Sequence, residues 1–167
     1  MLEILKYPDE RLKLLSAPVL KFDADLHKLL DDLAIAMYGA NGVGLAAPQV
    51  NRHLRIFVID IGGGEENRPR KLYEFINPKI SDGTGKILFE EGCLSIPGIS
   101  EEVQRKAKIK VAYVNRKGEP QTMEADDLLA VAIQHENDHL DGVLFVDRLS
   151  PLKRKLLKRK LSKVQIL

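Results

Sequence analysis

The segment QHENDH at 134–139 has two histidines four positions apart and a glutamate directly after the first. In an α-helix, positions i and i+4 share a face, so His135 and His139 can offer their imidazoles to one metal ion. Glu136 lies about 100° further round the helix, where its carboxylate can reach a water molecule on that ion. Two core histidines bonded to backbone carbonyls could have the same spacing, but they would not explain the glutamate. The pattern therefore predicts a metal site that hydrolyses a carbonyl compound.

A hydrolytic metal site usually has three protein ligands and one open position. One metalloprotease pattern has a third histidine where this chain has Phe145, and another uses a downstream glutamate, although Glu136 is the last glutamate here. Asp141 is too close to the motif to bend back easily, and Asp147 is better suited to capping or to pairing with a base. The remaining candidates for the third ligand lie upstream, and they are His27, His53 and Cys93.

Cys93 lies in the most unusual local sequence of these three candidates, EGCLS at 91–95, after Gly92 and beside a predicted strand end. It is the only cysteine of the chain, so it forms no internal disulfide, and a lone thiol suits a reducing compartment. A lone cysteine is more commonly a small buried hydrophobic residue. It could also be the nucleophile of a Cys-His pair, which would not need the spacing of QHENDH. The local sequence alone leaves the third ligand open.

The segment GVGLAAPQ at 42–49 formally satisfies the dinucleotide-binding pattern GxGxxA. That pattern must follow a strand and open a helix, whereas this segment follows a predicted helix and ends at Pro48 before a strand. One interpretation is a turn whose glycines adopt positive φ. The other is close backbone packing that holds the side chain of Gln49 over a reactive centre.

The elements that position these motifs are predicted from hydrophobic spacing. Helices are expected at 23–38, at 126–140 with Gly142 as the stop, and at 151–164. Strands are expected at 54–61, 72–76, 85–90, 99–104, 109–114 and 121–124. The short connections between the strands favour antiparallel pairs. We therefore expect one α+β domain over 1–167, with short, mostly antiparallel strands around the central HExxH helix, an N-terminal helix and a C-terminal amphipathic helix.

The composition is that of a globular chain, with 44% hydrophobic and 30% charged residues among 167. No run of about 20 apolar residues occurs, and the start MLEILKYPDERL does not resemble a signal peptide. A cytoplasmic location without a membrane partner is expected. The last seventeen residues hold seven basic side chains and no acid, and the other residues hold 19 basic against 24 acidic, a net charge of −5.

Taken together, GVGLAAPQ, EGCLS and QHENDH resemble the three signature motifs of the peptide deformylases, in the family's order. The resemblance extends from YPDERL at 7–12 to GVLF at 142–145 and LSP at 149–151, and it is closest to the bacterial, iron-preferring type. It implies an enzyme that removes the N-formyl group from the initiator methionine of nascent proteins and releases formate. A metal-bound water would attack the formyl carbon.

The resemblance also implies a role for particular residues. The metal ligands would be Cys93, His135 and His139, holding one iron(II) ion for which zinc, nickel or cobalt could substitute. Glu136 would act as the acid and base, with the Gln49 side chain and the Leu94 backbone N–H as oxyanion donors. Glu91 would pair with Arg105 and fix the cysteine loop. A methionine pocket would be lined by Leu128, Val131 and Ala132 on the motif helix, with Val43, Gly44 and Phe89 opposite.

The basic C-terminal helix has two interpretations. It can dock an apolar face, predicted to hold Leu152, Leu156, Leu157, Leu161 and Val164, while its lysines stay in water. It can also contact ribosomal RNA, since a basic face binds phosphate; no DNA partner is expected. The alternatives for the whole chain are a metallopeptidase, which would release an amino acid, and a nucleic-acid-binding protein with a structural metal. The second alternative would require neither Glu136 nor Gln49.

Overall fold

The structure is a computed structural model that describes residues 1–62 and 69–165, with side chains as far as residue 163. Within these residues it has three α-helices, which are α1 (Ala24–Gly39), α2 (Asp127–Leu140) and α3 (Pro151–Gln165). Its strands are β1 (Gly44–Ala46), β2 (Ile56–Ile59), β3 (Tyr73–Thr84), β4 (Ile87–Cys93), β5 (Ile96–Arg105), β6 (Lys108–Val114) and β7 (Pro120–Asp126). The predicted α+β class and all three predicted helices are confirmed.

The strands form one five-stranded sheet in the order β1-β2-β3-β6-β7 and a separate hairpin of β4 and β5. Every pairing within these two sheets is antiparallel, as the short connections predicted. Two elements differ most from the prediction. The segment at 44–46 forms an edge strand where a turn was expected, and β3 continues to Thr84 instead of ending near 76. Register shifts in the pairing of β3 with β6 allow that continuation past Pro78.

Helix α1 covers one side of the large sheet. Asp23 caps its start by accepting a hydrogen bond from the backbone N–H of Leu26 at 3.1 Å. Its buried residues at helical spacing join a cluster with β1 and β2, and they include Leu30, Leu33 and Met37. Apolar residues on one face of the helix therefore fix its place, as their spacing predicted.

Helix α2 carries the HExxH motif between the large sheet and the β4–β5 hairpin. Ala130, Ile133 and Leu140 pack into the cluster that contains the aromatic side chains of β2 and β3. The helix ends before Gly142, which has φ +72, and a Cβ at that position would overlap the carbonyl of Lys13. The predicted stop is therefore confirmed, and both the left-handed backbone and the lack of space require glycine there.

Helix α3 packs against the chain by a narrower face than its sequence predicted. Leu157 and Leu161 are buried with Phe145 and Leu149, whereas Leu152 and Leu156 are 69% and 50% exposed. The prediction of one common apolar face was wrong because successive residues are turned by about 100°, so residues 152 and 156 form a second stripe. The side chain of Val164 lies outside the described residues. In the described parts of the chain, no helix has the length and apolarity needed to cross a membrane.

Candidate active site

Three potential metal ligands converge where α2 meets the end of β4. His135 and His139 lie one turn apart on α2, and Cys93 is the last residue of β4, in the tight turn where it pairs with Ile96. One ligand atom from each of the three residues lies within 4.8 Å of the others, and Cys93 Sγ is 3.5 Å from His139 Nε2. No other cluster of His, Cys, Asp or Glu residues meets this criterion within 1–62 and 69–163.

The chemistry of this donor set fits a divalent transition metal. A thiolate and two imidazoles suit iron(II) or zinc, and the three atoms leave a fourth coordination position open. His135 Nδ1 is 2.8 Å from Glu91 Oε1, so Nε2 is the ring nitrogen of His135 that could bind a metal. His139 is 1% exposed, and its burial lowers its pKa well below the ordinary value, which favours the neutral imidazole that can bind a cation.

The other ligand candidates from the sequence lie elsewhere. His27 Nε2 is 2.8 Å from the carbonyl of Arg116, and His53 Nε2 is 2.9 Å from the carbonyl of Arg11. The alternative that was raised for His135 and His139, a histidine bonded to a backbone carbonyl, is thus found at His27 and His53 instead. Asp141 accepts a hydrogen bond from Arg55 at 3.0 Å, and Asp147 accepts from the Leu144 backbone N–H at 3.0 Å. Of the upstream candidates, Cys93 alone joins the two histidines of the motif.

Glu136 lies beside this cluster and is 5% exposed. Its Oε1 is 3.8 Å from His135 Nε2, and its Oε2 is buried without a hydrogen-bond partner among the described residues. Burial raises the pKa of Glu136 to about 7, because water no longer solvates the carboxylate. The carboxyl group can therefore take up and release a proton near neutral pH.

The glycines of GVGLAAPQ are explained by close contacts and not by positive φ. Neither Gly42 nor Gly44 has a left-handed backbone, so the interpretation of a positive-φ turn was wrong. A Cβ at residue 44 would meet Glu136 Oε1 at 2.8 Å, and a Cβ at residue 42 would meet Leu94 Cδ1 at 2.6 Å. Glycine at these two positions lets the segment approach α2 and the EGCLS turn.

Gln49 is held in one orientation next to the cluster. It lies in the short 3₁₀ turn Ala47–Val50, where its Oε1 accepts a hydrogen bond from the Ala46 backbone N–H at 2.9 Å. Its Nε2 donates to Ser95 Oγ at 3.0 Å and lies 3.6 Å from Cys93 Sγ. The bond from Ala46 identifies the amide oxygen, so the NH₂ group faces the cysteine. Gln49 and Leu94, which follows Cys93 directly, therefore both lie at the ligand cluster.

Glu91 and Arg105 form a buried pair behind His135. Arg105 Nε and Nη2 donate to the two oxygens of Glu91, each at 2.8 Å, and Arg105 Nη1 donates to Asp138 Oδ2 at 2.7 Å. Burial alone would raise the pKa of Glu91, but the hydrogen bonds from Arg105 and His135 outweigh it and hold that pKa below its ordinary value. Glu91 therefore stays ionised and accepts the Nδ1–H of His135.

A cavity of about 680 Å³ opens onto the ligand cluster. All of the predicted pocket residues line it, and these are Val43, Gly44, Phe89, Leu128, Val131 and Ala132. Val43 and Phe89, which line the cavity, are 45% and 36% exposed, so both offer apolar surface to a ligand. A cavity of this size and lining can hold an unbranched apolar side chain.

Sequence reasoning missed several residues around the site. The cavity is also lined by Lys6, Ile96, Pro97 and Ile99. Asp138 lies inside QHENDH, so its position in the motif was a signal that could have drawn attention to it. Arg148, which bonds to Asp138, has no such signal in the sequence because it lies beyond the motif helix.

Comparisons with known proteins find a single family over most of the chain. A family model described as polypeptide deformylase matches residues 1–155. The peptide deformylase of Chromobacterium violaceum is 50% identical over 163 residues, which is 98% of this chain and 95% of the relative. That of Thermodesulfovibrio yellowstonii is 48% identical over 160 residues, or 96% of each chain.

The fold is similar to a solved structure as well. The crystal structure of a peptide deformylase from Legionella pneumophila matches with a TM-score of 0.90 and 45% identity, covering 99% of this chain and 95% of that chain. The span matched by the family model contains the segments 42–49, 91–95 and 134–139, whose side chains form the ligand cluster and its surroundings.

Proposed function

Since the chain belongs to the peptide deformylase family, we propose that Cys93, His135 and His139 hold the metal ion of its reaction. The enzyme removes the N-formyl group from nascent peptides, a hydrolysis that breaks the formyl C–N bond and releases formate and a free amine. The observation that carries the proposal is the convergence of one thiol and two imidazoles beside Glu136.

Iron(II) is the metal that we propose, with zinc, nickel or cobalt as substitutes. A divalent cation held by these ligands would lower the pKa of a bound water toward 7 and would stabilise negative charge on a carbonyl oxygen. The soft thiolate of Cys93 supports a transition metal over magnesium or calcium, which prefer oxygen ligands. A thiolate ligand also makes an iron(II) site sensitive to oxidation.

We propose that the cavity binds the methionine side chain of the formylated terminus. Its apolar lining from Val131 and Ala132 on α2, with Val43 and Phe89 opposite, suits an unbranched thioether chain. The cavity opens directly beside Glu136 and Cys93, so a side chain bound there brings its own amino terminus to the ligand cluster. Binding therefore orients the formyl group for attack.

Glu136 is proposed to move the proton. The attacking water gives a proton to Glu136 as its oxygen bonds to the formyl carbon, and Glu136 passes that proton to the departing amine nitrogen. The buried Oε2 without a partner and the pKa of about 7 support this role, because such a carboxyl group can both accept and donate a proton at neutral pH. Gly44 leaves the space that the carboxyl group occupies.

Gln49 and Leu94 are proposed to stabilise the negative charge that grows on the formyl oxygen. Ala46 and Ser95 orient the side-chain amide of Gln49 before substrate binds, and this supports its role as a preorganised donor. The Leu94 N–H belongs to the same tight turn as Cys93. Loss of one such donor typically lowers kcat by about 10² to 10³.

We propose that the chain acts as one catalytic domain over 1–167, in the cytoplasm, where nascent peptides are made. The burial of Leu157 and Leu161 in a cluster with Leu5 supports a single unit, because it joins the two ends of the chain. The lone thiol of Cys93 supports a reducing compartment.

The test of the function measures formate. Protein purified without oxygen and loaded with iron(II) should release formate from a formyl-methionine peptide, and a chelator should abolish that release. Readdition of iron(II) or nickel should restore it, because the metal supplies the nucleophile and charge stabilisation. Nickel-loaded enzyme in air serves as a control for oxidation of iron. Formate release that persists after complete metal removal would contradict the role of the metal, and release of an amino acid would indicate a peptidase.

We propose that the basic residues of α3 contact the ribosome. Lys155, Lys158, Arg159 and Lys163 are exposed and share one face of the helix. Replacing these four by alanine should weaken pelleting with ribosomes. The slope of the logarithm of the binding constant against the logarithm of the salt concentration should also become shallower, by about one unit for each phosphate that the helix no longer binds. Leu157 and Leu161 stay in place, so the helix keeps its packing.

A variant with Lys79, Lys108, Lys110 and Lys117 replaced by alanine is the matched control, because it also removes four positive charges. These lysines are exposed on β3, on β6 and in the connection after β6, and their loss should leave pelleting unchanged. Equal weakening by both sets of substitutions would show that net charge matters and that α3 has no specific contact with the ribosome.

A further inference from the structure

The ion pairs behind His135 continue to a residue outside the metal site. Asp138 Oδ2 accepts from Arg105 Nη1 at 2.7 Å, and Asp138 Oδ1 accepts from Arg148 Nη2 at 2.7 Å. The Nε of Arg148 also donates to Asp138 Oδ2 at 3.1 Å. The contacts form an unbroken series, which is Arg148, Asp138, Arg105, Glu91 and His135.

The positive and negative charges of the series balance. Glu91, Arg105 and Asp138 are 4%, 6% and 7% exposed, so an unpaired charge on any of them would be costly. Arg105 is shared, because two of its nitrogens bind Glu91 and a third binds Asp138. Without Arg148, Asp138 would depend on Arg105 alone among the ion pairs of the described residues. It would then compete with Glu91 for the same guanidinium.

We propose that Arg148 is a positioning residue for the metal site. By binding both oxygens of Asp138, it leaves Arg105 able to hold Glu91 by two parallel hydrogen bonds, and Glu91 then fixes the imidazole of His135. This inference rests on the proposed function, because it takes His135 to be a metal ligand. Loss of Arg148 weakens metal binding and leaves the substrate cavity unchanged.

The backbone holds Arg148 in place for this role. It ends the 3₁₀ turn Phe145–Arg148, in which Phe145 and Val146 are buried. Its side chain is 50% exposed, and the residue does not line the cavity beside Glu136. Substitution of Arg148 therefore removes charge and hydrogen bonds without opening the core or touching bound substrate.

A second arginine–aspartate pair at the same end of α2 provides the matched control. Arg55 Nη1 donates to Asp141 Oδ1 at 3.0 Å, and the Arg55 side chain is 22% exposed. Asp141 follows the last residue of α2, and the contacts of this pair do not join the series that leads to Glu91. Loss of Arg55 should therefore remove an ion pair of the same kind and leave metal binding unaltered.

The experiment follows metal release from the full chain loaded with cobalt(II). The thiolate–cobalt absorption band reports the bound ion, and its decay after addition of a chelator gives the dissociation rate. Arg148→Ala should release cobalt about tenfold faster than wild type. This is the lower end of the effect of an outer contact, because Asp138, Arg105 and Glu91 lie between Arg148 and His135. KM for a formyl-methionine peptide should not change.

Arg148→Lys should restore part of the metal retention that Arg148→Ala loses, since lysine keeps the charge without the planar fork. Arg55→Ala should behave as wild type.

Asp138→Asn tests the same series at its centre. Because Arg148 acts through Asp138, the effects of Arg148→Ala and Asp138→Asn on the rate of cobalt release should not add when the two are combined. If Arg148→Ala does not fold, Arg148→Gln, which keeps most of the side-chain length and loses the charge, is measured in its place and should also release cobalt faster.

The outcomes distinguish the role of Arg148 from the proposed ligand set. Wild-type protein that binds no cobalt, or binds it without a thiolate band, would contradict the proposed metal ligands. Wild-type protein that binds cobalt normally while the Arg148 variants release it at the wild-type rate would overturn the role of Arg148 alone. Additive effects of the Asp138 and Arg148 substitutions would overturn it as well.

Discussion

Replacing Glu136 by glutamine is expected to lower the rate of formate release by about 10² to 10⁴ while the metal content stays at the wild-type level. Glutamine keeps the shape that fits beside Gly44 but cannot take up the proton of the attacking water. Glu136 is not one of the three clustered ligand residues, so its substitution should leave the metal in place. The measurement is kcat for a formyl-methionine peptide, together with metal analysis of the same preparation.

Asp141→Asn is the matched control for this prediction, because it makes the same chemical change just past the end of α2. Asp141 pairs with Arg55 and not with the ligand cluster, so this variant should keep kcat near wild type. If the Glu136→Gln enzyme has full metal content and a rate within about tenfold of wild type, the proposed role of Glu136 in proton transfer is wrong.

Cys93→Ala is expected to abolish both metal binding and formate release. It removes one of three ligands, so metal affinity should fall by more than the roughly 10- to 100-fold that the loss of an outer contact costs. Histidines 135 and 139 would remain on α2, but two imidazoles do not complete a catalytic site. The measurement is metal content after gel filtration and the dissociation constant for nickel or cobalt.

His27→Ala and His53→Ala are the controls for the third ligand, because the sequence offered these residues as alternatives to Cys93. Each ring bonds to a backbone carbonyl away from the cluster, so both variants should bind metal as wild type does. Loss of metal in either variant, or full retention in Cys93→Ala, would show that the ligand set is different.

The elements of the fold were largely predictable because their signals are local. Asp23 caps α1 and Gly142 follows the end of α2, and both positions follow from the conformations that these residues favour. The strands were found from β-branched runs, but their lengths were less predictable. Strand β3 extends to Thr84 through register shifts against β6, and such shifts depend on the partner strand.

The errors lie where packing between distant segments decides the outcome. Glycine at residues 42 and 44 leaves room for the side chains of Leu94 and Glu136, which are far away in the sequence. The exposure of Leu152 and Leu156 depends on which stripe of α3 meets the rest of the chain. Hydrophobicity alone could not distinguish that stripe from the one that holds Leu157 and Leu161.

By itself, the sequence determined that His135 and His139 share a helical face with Glu136 at its side, because the geometry of a helix fixes positions i, i+1 and i+4. It also determined the resemblance of three motifs to one family. The resemblance implied Cys93 as the third ligand, but only the tertiary structure showed that Cys93, and not His27 or His53, meets those histidines. It alone placed Gln49 next to the cluster and joined Arg148 to His135 through three intervening side chains. The physical reason is that these contacts arise from the pairing of β4 with β5 and the packing of α2, which no local propensity encodes.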